Sequence, residues 1–123
     1  MFVLRSVTFK RYGAFHLETA NVTEAELLNA IIEAARILGW KIAHFRPART
    51  KYGWATAVQA DGAGFPDLVL VRDRIVYAEL KADRGRLSEI QKAWIGWLEV
   101  AGAEIYLWKP DDWMSGRIDG VLR

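Results

Sequence analysis

The stretch Gly64-Phe65-Pro66-Asp67-Leu68-Val69-Leu70-Val71, followed after Arg72-Asp73-Arg74 by Ile75-Val76-Tyr77-Ala78-Glu79-Leu80-Lys81-Ala82, decides the fold. Both runs are rich in aliphatic and β-branched residues, and a short polar break separates them, the pattern of two strands joined by a turn. A hairpin centred on Asp73 pairs residues equidistant from it, which sets Asp67 across from Glu79 at a Cβ separation of about 4.5–5.5 Å. Period-two alternation puts Glu79 and Lys81 on one face. Two acids and a lysine therefore converge at one end of a strand pair. The rest of the pair reads apolar on both sides through Leu68, Val69, Leu70, Val71, Val76, Ala78 and Leu80.

Adjacent carboxylates repel, so one takes up a proton or both share a metal ion unless cations offset them. An oxygen-only set made by Asp67 and Glu79 suits Mg²⁺ or Mn²⁺, hard ions that need few protein ligands. Lys81, two residues on, is placed to orient or deprotonate an attacking water. Such a group supports in-line hydrolysis of a phosphodiester. The same residues also fit an ordinary surface ion pair at a strand end.

Before the hairpin, Thr23 to Trp40 reads as a helix. Thr23 is its N-cap, Glu26 completes a capping box, and Gly39 stops it. Leu27, Leu28, Ile31, Ala35 and Leu38 form one apolar face. Glu24 projects along that face one turn before Leu27, where a further carboxylate could act directly or through water, whereas Glu26 projects to the opposite side. Lys41 to Phe45 reads as a short strand and 46–64 as a long loop. Arg46, Arg49 and Lys51 in that loop are candidate DNA-phosphate contacts or solvated loop charges, and Trp54 is a candidate base-stacking or packing residue. His44 is a candidate site-edge residue or a strand histidine. Arg84 and Arg86, just past the second strand, are further candidate DNA contacts.

Ser88 to Ala101 reads as a second helix with a Ser88/Gln91 capping box, an inward stripe of Trp94, Ile95, Leu98 and Ala101, and Trp97 at its edge. Ala103 to Trp108 is a third core strand, Pro110 to Trp113 a turn, and the last residues a tail or helix fragment. Trp40, Trp94 and Trp108 are assigned to the core. The order of helix, strand, hairpin, helix and strand predicts an α/β domain with a mixed sheet, in two or three layers. Residues 1–22 alternate loosely through Phe2, Leu4, Val7 and Phe9, as a strand, a hairpin or an extension; 23–123 form the domain proper.

At 123 residues, 52% hydrophobic and 26% charged, the chain is sized for one self-folding domain and is not a disordered protein. The absence of cysteine excludes disulfides, thiolate zinc sites and a cysteine nucleophile. Leu68 to Val71, the longest aliphatic run, is far short of the roughly 20 residues of a membrane span. No secretory leader is visible, and a soluble cytoplasmic protein of a bacterial cell or phage-infected host is expected. A net charge of +2 understates the local pattern. Lys41, Arg46, Arg49 and Lys51 precede Ala60 with no acid among them, whereas Asp61, Asp67, Asp73, Glu79 and Asp83 follow. This suits a protein that grips phosphates beside a divalent metal, and it is equally compatible with ordinary surface charge.

Gly64-Phe65-Pro66-Asp67-Leu68-Val69, Ala78-Glu79-Leu80-Lys81, Gly85-Arg86-Leu87-Ser88 with Gln91, and Lys109-Pro110-Asp111-Asp112-Trp113 occur in order. Together they resemble the VRR-NUC branch of the PD-(D/E)XK nucleases, over about 23–113. The resemblance implies a restriction-endonuclease-like core with a central mixed β-sheet flanked by helices. It implies Asp67 and Glu79 as metal ligands, the Leu80 carbonyl as a further ligand and Lys81 as the catalytic lysine. The family's first-helix glutamate falls on Glu24, with Glu26 as rival, and its glutamine near the metal falls on Gln91, a residue that capping alone would also explain. The 46–64 loop is longer than in the shortest members, and residues 1–22 have no counterpart in the family pattern.

The expected activity is a Mg²⁺- or Mn²⁺-dependent, structure-specific DNA endonuclease with no nucleotide cofactor and no membrane partner. Holliday-junction cleavage by a homodimer is what the resemblance suggests, with the outer face of the first helix and residues 1–22 as candidate dimer surfaces. The alternatives are a monomeric nicking or flap-type nuclease and a non-catalytic DNA-binding module on the same fold. The presence of Asp67, Glu79 and Lys81 together argues against the last.

Overall fold

Thr23 begins the first helix as the sequence predicts. Its Oγ1 accepts from the Glu26 N–H at 3.0 Å, and its own N–H donates to Glu26 Oε1 at 2.9 Å, a closed capping box. Helix α1 spans Glu24–Ile37 and buries Leu27, Ala30, Ile31, Ala34 and Ala35. The computed structural model describes residues 22–45, 48–55 and 58–123, with only the backbone of 48–50, 54 and 55. The expected extension up to Asn21 lies outside the described residues.

Strands β1 (Lys41–His44), β4 (Leu68–Val71), β5 (Ile75–Leu80) and β6 (Glu104–Trp108) form a sheet in the order β1-β4-β5-β6. The first two pairings are antiparallel and β5–β6 is parallel, so the sheet is mixed. A parallel neighbour needs a crossover, and α2 (Glu89–Val100) supplies it. The β4–β5 register pairs Leu68 with Ala78 and Val71 with Ile75, the register that a turn centred on Asp73 requires.

Alternation along β4, β5 and β6 gives the sheet two faces. Leu68, Leu70, Val76, Ala78, Leu80 and Trp108 are buried with α1 on one side. Val69, Tyr77, Glu79, Ile105 and Leu107 lie on the other, the side of α2. The domain is thus three-layered. Among the described residues, no helix is long and apolar enough to cross a membrane.

Three expectations need correction. The 46–64 segment is not all loop: β2 (Ala48–Thr50) and β3 (Gly53–Ala55) pair as an antiparallel hairpin whose turn is Lys51-Tyr52. Helix α2 buries no residue fully, so Trp94 is half-buried rather than core, because α2 covers only part of its sheet face. Pro110 to Trp113 is helix rather than turn, and the last residues take the helical alternative rather than the tail. They form α3 (Pro110–Met114) and α4 (Arg117–Leu122), which insert Trp113, Ile118 and Leu122 into the core beside α1.

Polar contacts reinforce this C-terminal docking. Trp40 Nε1 donates to the Leu122 carbonyl at 2.8 Å, and Arg72 Nη1 donates to the same oxygen at 3.0 Å. Arg74 Nη2 donates to the Val121 carbonyl at 2.6 Å. Both guanidinium groups, from the β4–β5 turn, also lie over the Trp40 ring, at 4.5 and 5.2 Å. Ile118 is fully buried here. Ile118→Ala should therefore destabilise the fold by about 2–5 kcal/mol, as other aliphatic truncations in tight cores do. Urea unfolding measures this, and a cost near zero would show that α4 is not part of the cooperative core.

Candidate active site

The hairpin register carries one step beyond Leu68 and Ala78 to bring Asp67 beside Glu79. Local bonds fix Asp67: its carbonyl accepts from the Phe45 N–H at 3.0 Å, extending the β1–β4 ladder, and its Oδ2 accepts from the Leu80 N–H at 2.9 Å. Glu79 points to the α2 side of the sheet and is only 2% exposed. Lys81 Nζ lies 3.9 Å from Glu79 Oε2. The Leu80 side chain is buried on the opposite face, so only its backbone reaches the site.

Burial and the neighbouring Asp67 charge push the Glu79 carboxyl from its ordinary 4.5 up to about 8, with Lys81 pulling the other way. Hydrogen bonding with Asp67 and the charge of Glu24 add to the upward push. Glu24, at the N-terminus of α1, is exposed but near enough to feel the same charges. Its carboxyl is raised by partial desolvation and by Asp67, and lowered by Lys81. Glu26 is occupied in the Thr23 capping box, and Glu24 is the first-turn acid that faces the pair. Among the described residues, no three His, Asp or Glu side chains cluster tightly enough to ligate one ion together.

Gln91 has two functions at once. Its Oε1 accepts from the Ser88 N–H at 2.9 Å, closing the capping box of α2, while its Nε2 donates to Glu79 Oε2 at 2.9 Å. The two readings of this residue from sequence are therefore compatible. The position of α2 is fixed by the segment that precedes Asp67. Gly64 has φ +85°, and a Cβ there would meet Ile90 Cγ2 at 2.8 Å, so glycine lets the helix approach. Trp94 Nε1 donates to the Asp61 and Ala63 carbonyls at 3.0 and 3.1 Å. Phe65 packs edge-on against Phe45, Tyr77 and Trp94 at 5.8, 6.0 and 5.1 Å. Sequence reasoning did not find this aromatic hub; its signal is Phe65 immediately before Pro66-Asp67.

Arg84 and Arg86 are exposed on the segment after β5. Lys51 lies at the β2–β3 turn with its Nζ over the Tyr52 ring at 5.1 Å. Arg46 and the side chains of Arg49 and Trp54 lie outside the described residues. His44 is exposed at the end of β1.

A family model described as the VRR-NUC domain matches residues 19–109, most of the chain and all of the carboxylate–lysine motif. The chain belongs to the VRR-NUC family. Its mixed four-stranded sheet with flanking helices is accordingly a PD-(D/E)XK-like nuclease fold. No significant match to a curated protein or to a solved structure was found. A VRR-NUC domain is a nuclease domain, which implies DNA as its substrate.

The raised Glu79 carboxyl has a consequence for metal-free stability. Folded Glu79 keeps its proton to about pH 8, whereas an unfolded glutamate releases it near 4.5. Deprotonation therefore favours the unfolded chain across that window, and this contribution to stability falls as pH rises. In EDTA, the melting temperature of the wild type should fall relative to Glu79→Gln between about pH 5 and 8. Parallel pH profiles for the two proteins would contradict the buried-acid assignment.

Proposed function

We propose that this VRR-NUC domain is a divalent-metal-dependent, structure-specific DNA endonuclease, and that Asp67, Glu79 and the Leu80 carbonyl hold Mg²⁺ or Mn²⁺. The observation that carries this reading is the pair of facing carboxyls, one almost sealed from solvent, with the Lys81 ammonium beside them. The donor set fits the ion: every ligand is oxygen, as hard divalent cations require, and removal of the Glu79 proton frees both carboxylates to bind. When bound, such an ion makes water acidic enough to attack and offsets charge on the phosphate.

The protein's own groups set the geometry of that attack. Lys81 presents N–H donors to the attacking water or a non-bridging phosphate oxygen, where negative charge builds up. Glu24 orients solvent at the open side of the pair. Gln91 acts one layer back, fixing the Glu79 carboxyl through Oε2; it is a positioning residue. The Leu80 N–H does the same for Asp67.

Four-way junctions are the substrate class we favour. One chain carries one carboxylate pair, and symmetric cutting of a junction takes two sites related by a two-fold axis, which implies a homodimer. Trp97 and Val100, 53% and 91% exposed on α2, offer apolar surface to a second copy. Cleavage of linear, flap, splayed and four-way DNA with Mg²⁺, Mn²⁺ or EDTA tests the reading. Activity should require the metal and be highest on the junction. Asp67→Ala and Lys81→Ala should each lower the rate by on the order of 10²–10³-fold, and Gln91→Ala by roughly 10–100-fold, with folds intact by circular dichroism. Full activity in EDTA or in Lys81→Ala would reject the mechanism. A monomer mass on the junction would reject the dimer in favour of a nicking or flap-type enzyme.

A further inference from the structure

The segment after Lys81 borders two cavities. One, of about 690 Å³, is lined by Val22, Thr23, Glu24, Ala82, Asp83 and Arg84, on the Glu24 side of the site. The other, of about 610 Å³, is bounded by the 83–87 segment, Lys92 of α2, and Leu107 and Lys109 at the end of β6. Arg84 lines both. Arg84, Arg86, Lys92 and Lys109 meet in the second cavity, and Asp83 is the one acid on its wall.

We propose that this second cavity is a phosphate seat, separate from the carboxylate pair, that holds a neighbouring phosphate of the DNA strand being cut, with Lys92 and Lys109 as its principal contacts. The proposal rests on the nuclease reading for its ligand. Leu107, which lines the cavity, pairs directly with Glu79 in the β5–β6 register, so their backbones lie one strand spacing, about 4.8 Å, apart. Phosphates recur along one strand about every 3.4 Å of helix rise. A strand with one phosphate at the acid pair therefore brings another within reach of the cavity. Sequence order ties the two places together again, since Lys92 follows Gln91, and Asp83 and Arg84 follow Lys81 and Ala82.

The cations here are available to a ligand. Among the described residues, Arg84 and Arg86 have no ion-pair partner. Lys92 pairs with Glu89 at 3.1 Å, but both side chains are exposed and such a pair is weak. Among the described residues, Lys109 Nζ reaches only the Asp83 carbonyl, at 3.4 Å. At the α2 N-terminus the Ser88 and Gln91 N–H groups are already taken by the capping box. Four side-chain charges beside one acid recognise a phosphate anion, whether an internal diester or a strand-terminal monoester.

The test is DNA binding by the full chain in EDTA, where cleavage does not intervene, read by fluorescence anisotropy across a salt series. Lys92→Gln/Lys109→Gln should weaken binding about tenfold and make the slope of log K against log salt shallower by about 1–2. The unfolding midpoint should stay unchanged, and Lys92→Arg/Lys109→Arg should bind as wild type does. Arg36→Gln, on the outer surface of α1, serves as the control for general charge. A double variant that binds like wild type, or loses no more than Arg36→Gln, would overturn the seat. Closed-circular, 5′-phosphorylated and 5′-hydroxyl linear DNA separate the sources: loss on all three marks an internal diester, and loss confined to the 5′-phosphorylated form a terminal phosphate. Wild-type binding that depends on these lysines without cleavage in Mg²⁺ would reject the nuclease reading and leave the seat standing.

Discussion

Asp67 and Glu79 hold two carboxyl groups side by side on neighbouring strands, and one is almost cut off from water. Like charges at this spacing cannot both be ionised cheaply in an apolar setting. The surrounding structure offsets that cost with the Leu80 N–H on Asp67 and the Gln91 amide and Lys81 ammonium on Glu79, and the Glu79 carboxyl holds its proton well above the usual carboxylate range. The β4–β5 register creates the juxtaposition. A slip of one residue would send Glu79 to the α1 face, into contact with Ala78 and Leu80's aliphatic neighbours, and expose the core set instead.

Helix α2 is held less by burial than by specific contacts. It has no fully buried residue, yet Gly64 admits Ile90, Phe65 meets Trp94, and the indole N–H ties down two loop carbonyls. These contacts converge on the segment leading into Asp67, so the piece of chain that delivers one acid also fixes the helix that delivers Gln91 to the other. The Gln91 amide divides its work: the carbonyl end starts the helix, and the amino end secures Glu79. Asparagine would be one methylene too short to span both partners.

How much of this was legible in the sequence depended on the length of each signal. The hairpin could be read because strong strand formers flank a single polar turn, and Asp73 then fixes the register arithmetically. The choice between Glu24 and Glu26 was half legible: the capping box marks Glu26, but only packing shows Glu24 facing Asp67 and Lys81. Strands β2 and β3 have three residues each, too few for alternation to emerge from a loop. Helices α3 and α4, of five and six residues, are too short to display a helical period, and Trp113, Ile118 and Leu122 look like scattered hydrophobes until they meet α1. The modest burial of α2 was hidden because an apolar stripe reveals direction, not how much surface lies opposite it.

The clasp of Arg72, Arg74 and Trp40 on the Leu122 and Val121 carbonyls bears on how the chain is made. A ribosome releases residues in order, and the partners of this clasp are separated by 47–82 positions. The hairpin that bears both acids is therefore complete well before the helix that closes the core has emerged. During that interval α1 and the buried face of the sheet lack the cover that Ile118 and Leu122 provide. Maturation of the domain thus waits on its last helix, which must dock before the core beneath the acid pair is closed.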